Sequence, residues 1–109
     1  RKEITMGLAV GMVEVYGLVA AFAACDAGCK AADVTVERFD KNKPANADSL
    51  PVPLLVCVKF RGTVDNVTAA VEAALAAAER VSGVVSHFVI PSCESDTEKM
   101  LKLSGFDTD

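Results

Sequence analysis

Apolar and polar positions break the chain into short, clearly bounded runs. Leu8 to Val15 (LAVGMVEV) is apolar enough for a buried strand, with Glu14 near its end and Gly17 as punctuation. Leu18 to Ala32 (LVAAFAACDAGCKAA) is rich in alanine and free of proline, which predicts a helix. Its only charges, Asp26 and Lys30, stand four apart and can pair along one face. Nearly everything else on that helix is small or apolar, so it needs cover on more than one side.

Val34 to Phe39 (VTVERF) alternates as a strand does, led by β-branched residues. Residues 40–53 (DKNKPANADSLPVP) carry three prolines with Asn, Asp and Ser, which is turn chemistry and predicts a loop. A loop of that length in a small domain is more often functional than accidental. Leu54 to Arg61 reads as a third strand, with Val56, Val58 and Phe60 on one face and Cys57 and Lys59 on the other. Thr63 then offers an N-cap. Val64, Val67, Val71, Leu75, Ala78 and Val81 follow helical spacing, with Asp65, Glu72 and Glu79 outward and Gly83 as the stop. Val84 to Ile90 is a fourth strand closed by Pro91. Ser95 and Glu98 make a capping box for a short last helix to about Leu103, after which residues 104–109 should fray. The order is β-α-β-β-α-β plus a small helix. It predicts a single α+β domain over residues 1–109, core about 8–103, with helices packed on one sheet.

Composition sharpens this picture. With 109 residues, 51% of them hydrophobic and 24% charged, disorder is excluded. A chain this small should bury roughly 65% of its unfolded surface. Its mean hydropathy of +0.33 is high for so small a soluble domain: either the core is alanine-rich and thin, or some apolar surface is covered by other subunits. A net charge of −4 argues against nucleic acid or an anionic membrane as main partner, and neither is expected. The charge-free stretch Val15 to Cys25 is too short to span a bilayer. No secretory signal is visible, although Arg1 as first residue leaves room for a preceding segment. The four cysteines are therefore expected to be free thiols in a reducing cytosol.

Reactive chemistry is sparse. The one histidine, His87, lies inside a strand with no Ser or Cys beside it in sequence. Asp96 and Glu98 open a helix whose dipole favours acids anyway. Cys25 and Cys29 have a spacing that can hold a metal, but they sit among alanines, where cysteine usually behaves as a small hydrophobe. Cys57 and Cys93 are isolated; Gly7, Gly11 and Gly17 are spaced too loosely for a phosphate cradle. No catalytic residue, metal site or cofactor is expected.

Several stretches together resemble the bacterial microcompartment shell-protein domain. They are Gly11-Met12-Val13-Glu14, Gly17-Leu18-Val19-Ala20-Ala21, Asp26 with Lys30-Ala31-Ala32, and Arg61-Gly62 leading into Val64, Val67 and Ala70. Ala76-Ala77-Ala78, Val89-Ile90-Pro91 and Asp96-Thr97-Glu98-Lys99-Met100-Leu101 complete a resemblance running from about Leu8 to Leu103 without permutation. It implies a non-enzymatic, homohexameric tile of a protein shell in the bacterial cytoplasm. Its partners would be copies of itself, other shell proteins, encapsulated enzymes and small metabolites crossing a pore on the hexamer axis.

The same resemblance assigns sites. Lys30, with Asp26 beside it, matches the lysine at the hexamer–hexamer edge. Ser92 stands where the family commonly has an arginine, and its short side chain cannot reach a neighbour as arginine would, which implies a specialised shell component. The loop between the second and third strands matches the pore segment, usually a tight Gly-Ser-Gly turn. Here it is about nine residues longer, and Lys41, Asn42, Lys43, Pro44, Asn46, Asp48, Ser49 and Pro51 are the candidate pore residues. Lys41 and Lys43 against Asp40 and Asp48 leave it near neutral, while Asn46 and Ser49 offer hydrogen bonds to a polar metabolite. Some relatives hold an iron–sulfur cluster through cysteines in this loop; none is present here, so no cluster is expected. The alternative is a small-molecule-sensing regulatory domain of similar strand order, with the long loop closing on a ligand.

Overall fold

The computed structural model describes residues 8–42 and 54–92. Its elements follow the expected order: β1 (Ala9–Tyr16), α1 (Gly17–Ala31), β2 (Thr35–Asn42), β3 (Leu55–Gly62), α2 (Val64–Glu79) and β4 (Val84–Ile90). The short helix expected after Ser95, the tail and Cys93 lie outside the described residues.

The strands form one antiparallel sheet in the order β2-β3-β1-β4. Val13 and Val15 from β1 and Val56, Val58 and Phe60 from β3 alternate onto one face, where they are buried under both helices. The helices meet through their smallest residues, Ala20, Ala21, Ala24 and Gly28 of α1 beside Ala70, Ala74, Ala77 and Ala78 of α2. Such faces let two helices approach closely. The buried stripe of α2 is therefore Val67, Ala70, Val71, Ala74, Ala77 and Ala78. Val64 and Val81, read from the sequence as part of it, are exposed at its ends. Val67, Val71 and Ala78 are buried as the helical spacing predicts, and Ala70, Ala74 and Ala77 join them on the inward face.

The turns are held by specific bonds. Gly17 opens α1 at a φ of 85°, and its N–H donates to the Leu54 carbonyl at 2.7 Å. Thr63 caps α2 as its position suggests, its hydroxyl accepting from the Asn66 N–H at 3.2 Å. After α2, the Gly83 N–H returns to the Ala78 carbonyl at 2.9 Å, and the Ser82 hydroxyl donates to the Tyr16 carbonyl at 2.6 Å.

β2 departs from simple alternation. A register shift between Val36 and Phe39 lets Val34, Val36 and Phe39 all pack against the core, which strict alternation forbids. The strand also continues through Asp40, Lys41 and Asn42, opposite Cys57, Val56 and Leu55. Those three residues, expected in the loop, belong to the sheet because β3 presents a complete ladder to them.

Candidate functional site

Row by row, the sheet fixes where each candidate residue sits. Thr35, Arg61, Val10 and Ile90 form the row at one end; Asn42, Leu55 and Tyr16 form a row at the other. Six residue steps along β1, from Val10 to Tyr16, separate these rows by roughly 20 Å. α1 finishes at Ala31, just before Thr35, so the Asp26–Lys30 pair belongs to the first end. Ser92 follows β4 at that same end, exposed, but beyond the opposite edge strand. The fold therefore does not bring Ser92 beside Asp26 and Lys30. Lys41 and Asn42 close β2 at the second end, where the chain departs into residues 43–53. Lys43, Pro44, Asn46, Asp48, Ser49 and Pro51 lie outside the described residues.

Lys30 Nζ stands 2.8 Å from Asp26 Oδ2 on the exposed side of α1. The carboxylate's hydrogen bond and charge push the lysine's pKa up, keeping it a cation at any physiological pH. Beside this pair the helix carries an uncovered apolar strip: Leu18 is 42%, Val19 72% and Phe22 63% exposed. The Phe22 ring leans on Phe39 with centroids 5.1 Å apart and a 59° tilt, so the strip continues onto the β2 edge. Phe88 lies exposed on β4, the other edge. Both flanks of the domain thus offer large apolar side chains to solvent.

Two cations that sequence reasoning did not single out are buried on the sheet face away from the helices. Lys59 is 5% and Arg61 3% exposed. Lys59 Nζ lies 4.0 Å from Asp40, and Arg61 Nη1 lies 3.1 Å from Glu37. Arg61 also donates to the Ala9 and Leu8 carbonyls at 3.1 and 3.3 Å, tying β3 to the start of β1. The signal was present as opposite charges in adjacent strands, where cross-strand pairs form. Asp40 is thereby spent on Lys59 and drops out of the charge balance of the loop.

Of the cysteines, Cys25, Cys29 and Cys57 are free thiols. Cys25 is half-buried against the core, whereas Cys29 is exposed instead of packed as a small hydrophobe. Burial, then the neighbouring Cys29 thiol, pushes the Cys25 pKa up. Burial likewise pushes the Cys57 thiol up to about 11 from 9.0, with Lys59 opposing the shift. Between these values the unfolded chain has lost a proton that the folded chain keeps. Stability should therefore fall by up to about 2–3 kcal/mol as pH rises from 9 to 11. Urea unfolding across that range should show a shallower fall for Cys57→Ala than for the natural sequence.

Among the described residues there is no group of three or more His, Cys, Asp or Glu side chains able to hold a metal, and no helix long and apolar enough to cross a membrane. His87 is exposed in β4, paired with Val13 across the ladder. What stands out is geometry for contact: a charged pair and two apolar flanks.

Comparison with known proteins agrees with that emphasis. The chain is 41% identical over 93 residues to the bacterial microcompartment shell protein PduA of Citrobacter freundii, covering 85% of this chain and 90% of that protein. It is 35% identical over 104 residues to the carboxysome shell protein CcmK3 of a Halothece strain, covering 94% and 93%. It is 37% identical over 100 residues to the carboxysome shell protein CcmK2 of Synechococcus elongatus, covering 90% and 89%. A crystal structure of a microcompartment protein from Desulfitobacterium hafniense superimposes with a TM-score of 0.59 at 22% identity. That match takes in 90% of this chain and 48% of the larger one, and it supports the fold alone. The model of the BMC domain matches residues 9–93, from the first residue of β1 to just past β4, and the chain belongs to the BMC domain family.

Proposed function

We propose that this chain is a structural, non-enzymatic shell subunit of a bacterial microcompartment in the cytoplasm, working as a single domain. Six copies close into a ring, and rings meet edge to edge as tiles. The family match over residues 9–93, to relatives named as shell proteins, carries this reading. The apolar strip of Leu18, Val19 and Phe22 on one flank and Phe88 on the other support it. A cyclic assembly needs two different surfaces on each subunit that complement one another.

The separation of the two sheet ends supports an assignment of hub and rim. Residues 41–53 lie toward the ring axis, where the long segment forms a plug or collar about a pore for small metabolites. Asp26 and Lys30 lie toward the rim, at contacts with other hexamers and other shell proteins, and Ser92 takes a rim position without the reach of an arginine. Enzymes enclosed by the shell are the remaining partners.

A substitution separates ring from sheet. Lys30→Ala removes the exposed cation and leaves every buried contact of α1 in place. It should preserve the mass of the assembly while reducing extended sheets in electron micrographs of overexpressing cells by tenfold or more. Normal sheets would remove Lys30 from the rim.

A further inference from the structure

Cys25 and Cys29 are one helical turn apart on α1, a spacing that puts both side chains on one face of the helix. Their environments differ in a useful way. Cys25 packs against the core, which restricts its side chain, whereas Cys29 is exposed and reachable from solvent. No disulfide occupies either sulfur. Asp26, the nearest carboxylate in sequence, is 2.8 Å from Lys30 and committed to it.

We propose that Cys25 and Cys29 form a two-sulfur chelate for a soft, two-coordinate d10 cation such as monovalent copper. Thiolate ligands select copper(I), zinc and iron–sulfur clusters over hard cations. Zinc requires four ligands and a cluster requires more, and among the described residues no third His, Cys, Asp or Glu joins this pair. A linear bis-thiolate is complete with two. One copper(I) ion enters, two sulfur–metal bonds form, and each thiol releases its proton to water. The metal stays in one oxidation state throughout, so no electron acceptor is needed. The site does not rest on the shell reading: both sulfurs belong to one turn of one helix of a single chain.

The test uses the full chain, reduced and handled without oxygen, carrying Cys57→Ser and Cys93→Ser so that the pair holds the only thiols. Copper(I) is delivered from a coloured chelator in competition, and the loss of colour reports transfer. One equivalent per chain is expected. Further replacement of either Cys25 or Cys29 by serine should weaken binding at least a hundredfold, with the circular dichroism spectrum unchanged. Failure of the pair to compete for copper overturns the proposal, as does a Cys29→Ser variant that still takes one equivalent. Half an equivalent per chain also overturns it, because it would mean sulfurs shared between two chains.

Discussion

Phe60→Ala should lower the unfolding free energy by about 3–5 kcal/mol, a large part of the roughly 5–15 kcal/mol available to a domain of this size. Phe60 is the largest fully buried side chain of the core. It stands opposite Gly11 in β1 and Val36 in β2, and its ring reaches up beneath α1. The contact there is with Gly28. A Cβ built on that residue would lie 2.5 Å from Phe60 Cζ and 3.2 Å from the Ala70 carbonyl oxygen. Glycine is thus what allows the ring, α1 and α2 to occupy the same small volume. The reciprocal substitution has an unusual expected sign. Gly→Ala inside a helix ordinarily stabilises by about 1 kcal/mol, but Gly28→Ala should destabilise by about 1–3 kcal/mol through overpacking. Combining Gly28→Ala with Phe60→Leu should recover part of the loss, a non-additivity expected only of residues in contact. Urea unfolding at fixed protein concentration measures all of this. A stabilising Gly28→Ala would show that the helix sits farther from the sheet.

Arg61→Ala is the second large effect, at about 2–4 kcal/mol. It removes the bonds from the guanidinium to the Ala9 and Leu8 carbonyls and to Glu37, leaving buried acceptors beside a cavity. Arg61→Lys should fail to rescue, because an ammonium cannot span three partners held in different directions by a planar fork. Glu37→Gln should cost less than either, since the two carbonyls still receive the buried cation. Thermal unfolding of the three variants gives the order directly. A lysine variant as stable as the natural sequence would reduce Arg61 to a simple charge.

Much of this fold is legible in the residues themselves. The valine-rich runs, the alanine-rich helices, Thr63 as a cap and the Asp26–Lys30 pair all act through neighbours close in sequence. What escaped was decided across the sheet. Phe39 faces the core only because β2 slips register after Val36. Asp40, Lys41 and Asn42 join a strand because β3 offers partners, although their composition reads as loop. Lys59 and Arg61 are buried because Asp40 and Glu37 meet them from the next strand. On α2, helical spacing placed Val67, Val71 and Ala78 correctly in the buried face. It also included Val64 and Val81, which are exposed, and left out Ala70, Ala74 and Ala77, which close helix packing buries. The candidate contact residues follow the same division. The charged pair is local and readable, but the placement of Lys30 and of Lys41 and Asn42 at opposite ends of the sheet emerges only from strand register.

The central claim is that the flanks bearing Leu18, Val19, Phe22 and Phe88 are covered by further copies of the chain. Light scattering on the purified protein in dilute buffer tests it most directly. The expected mass is six times the 11.4 kDa chain, held on dilution. A mass equal to that of one chain, with Phe22 and Phe88 facing water, would contradict it.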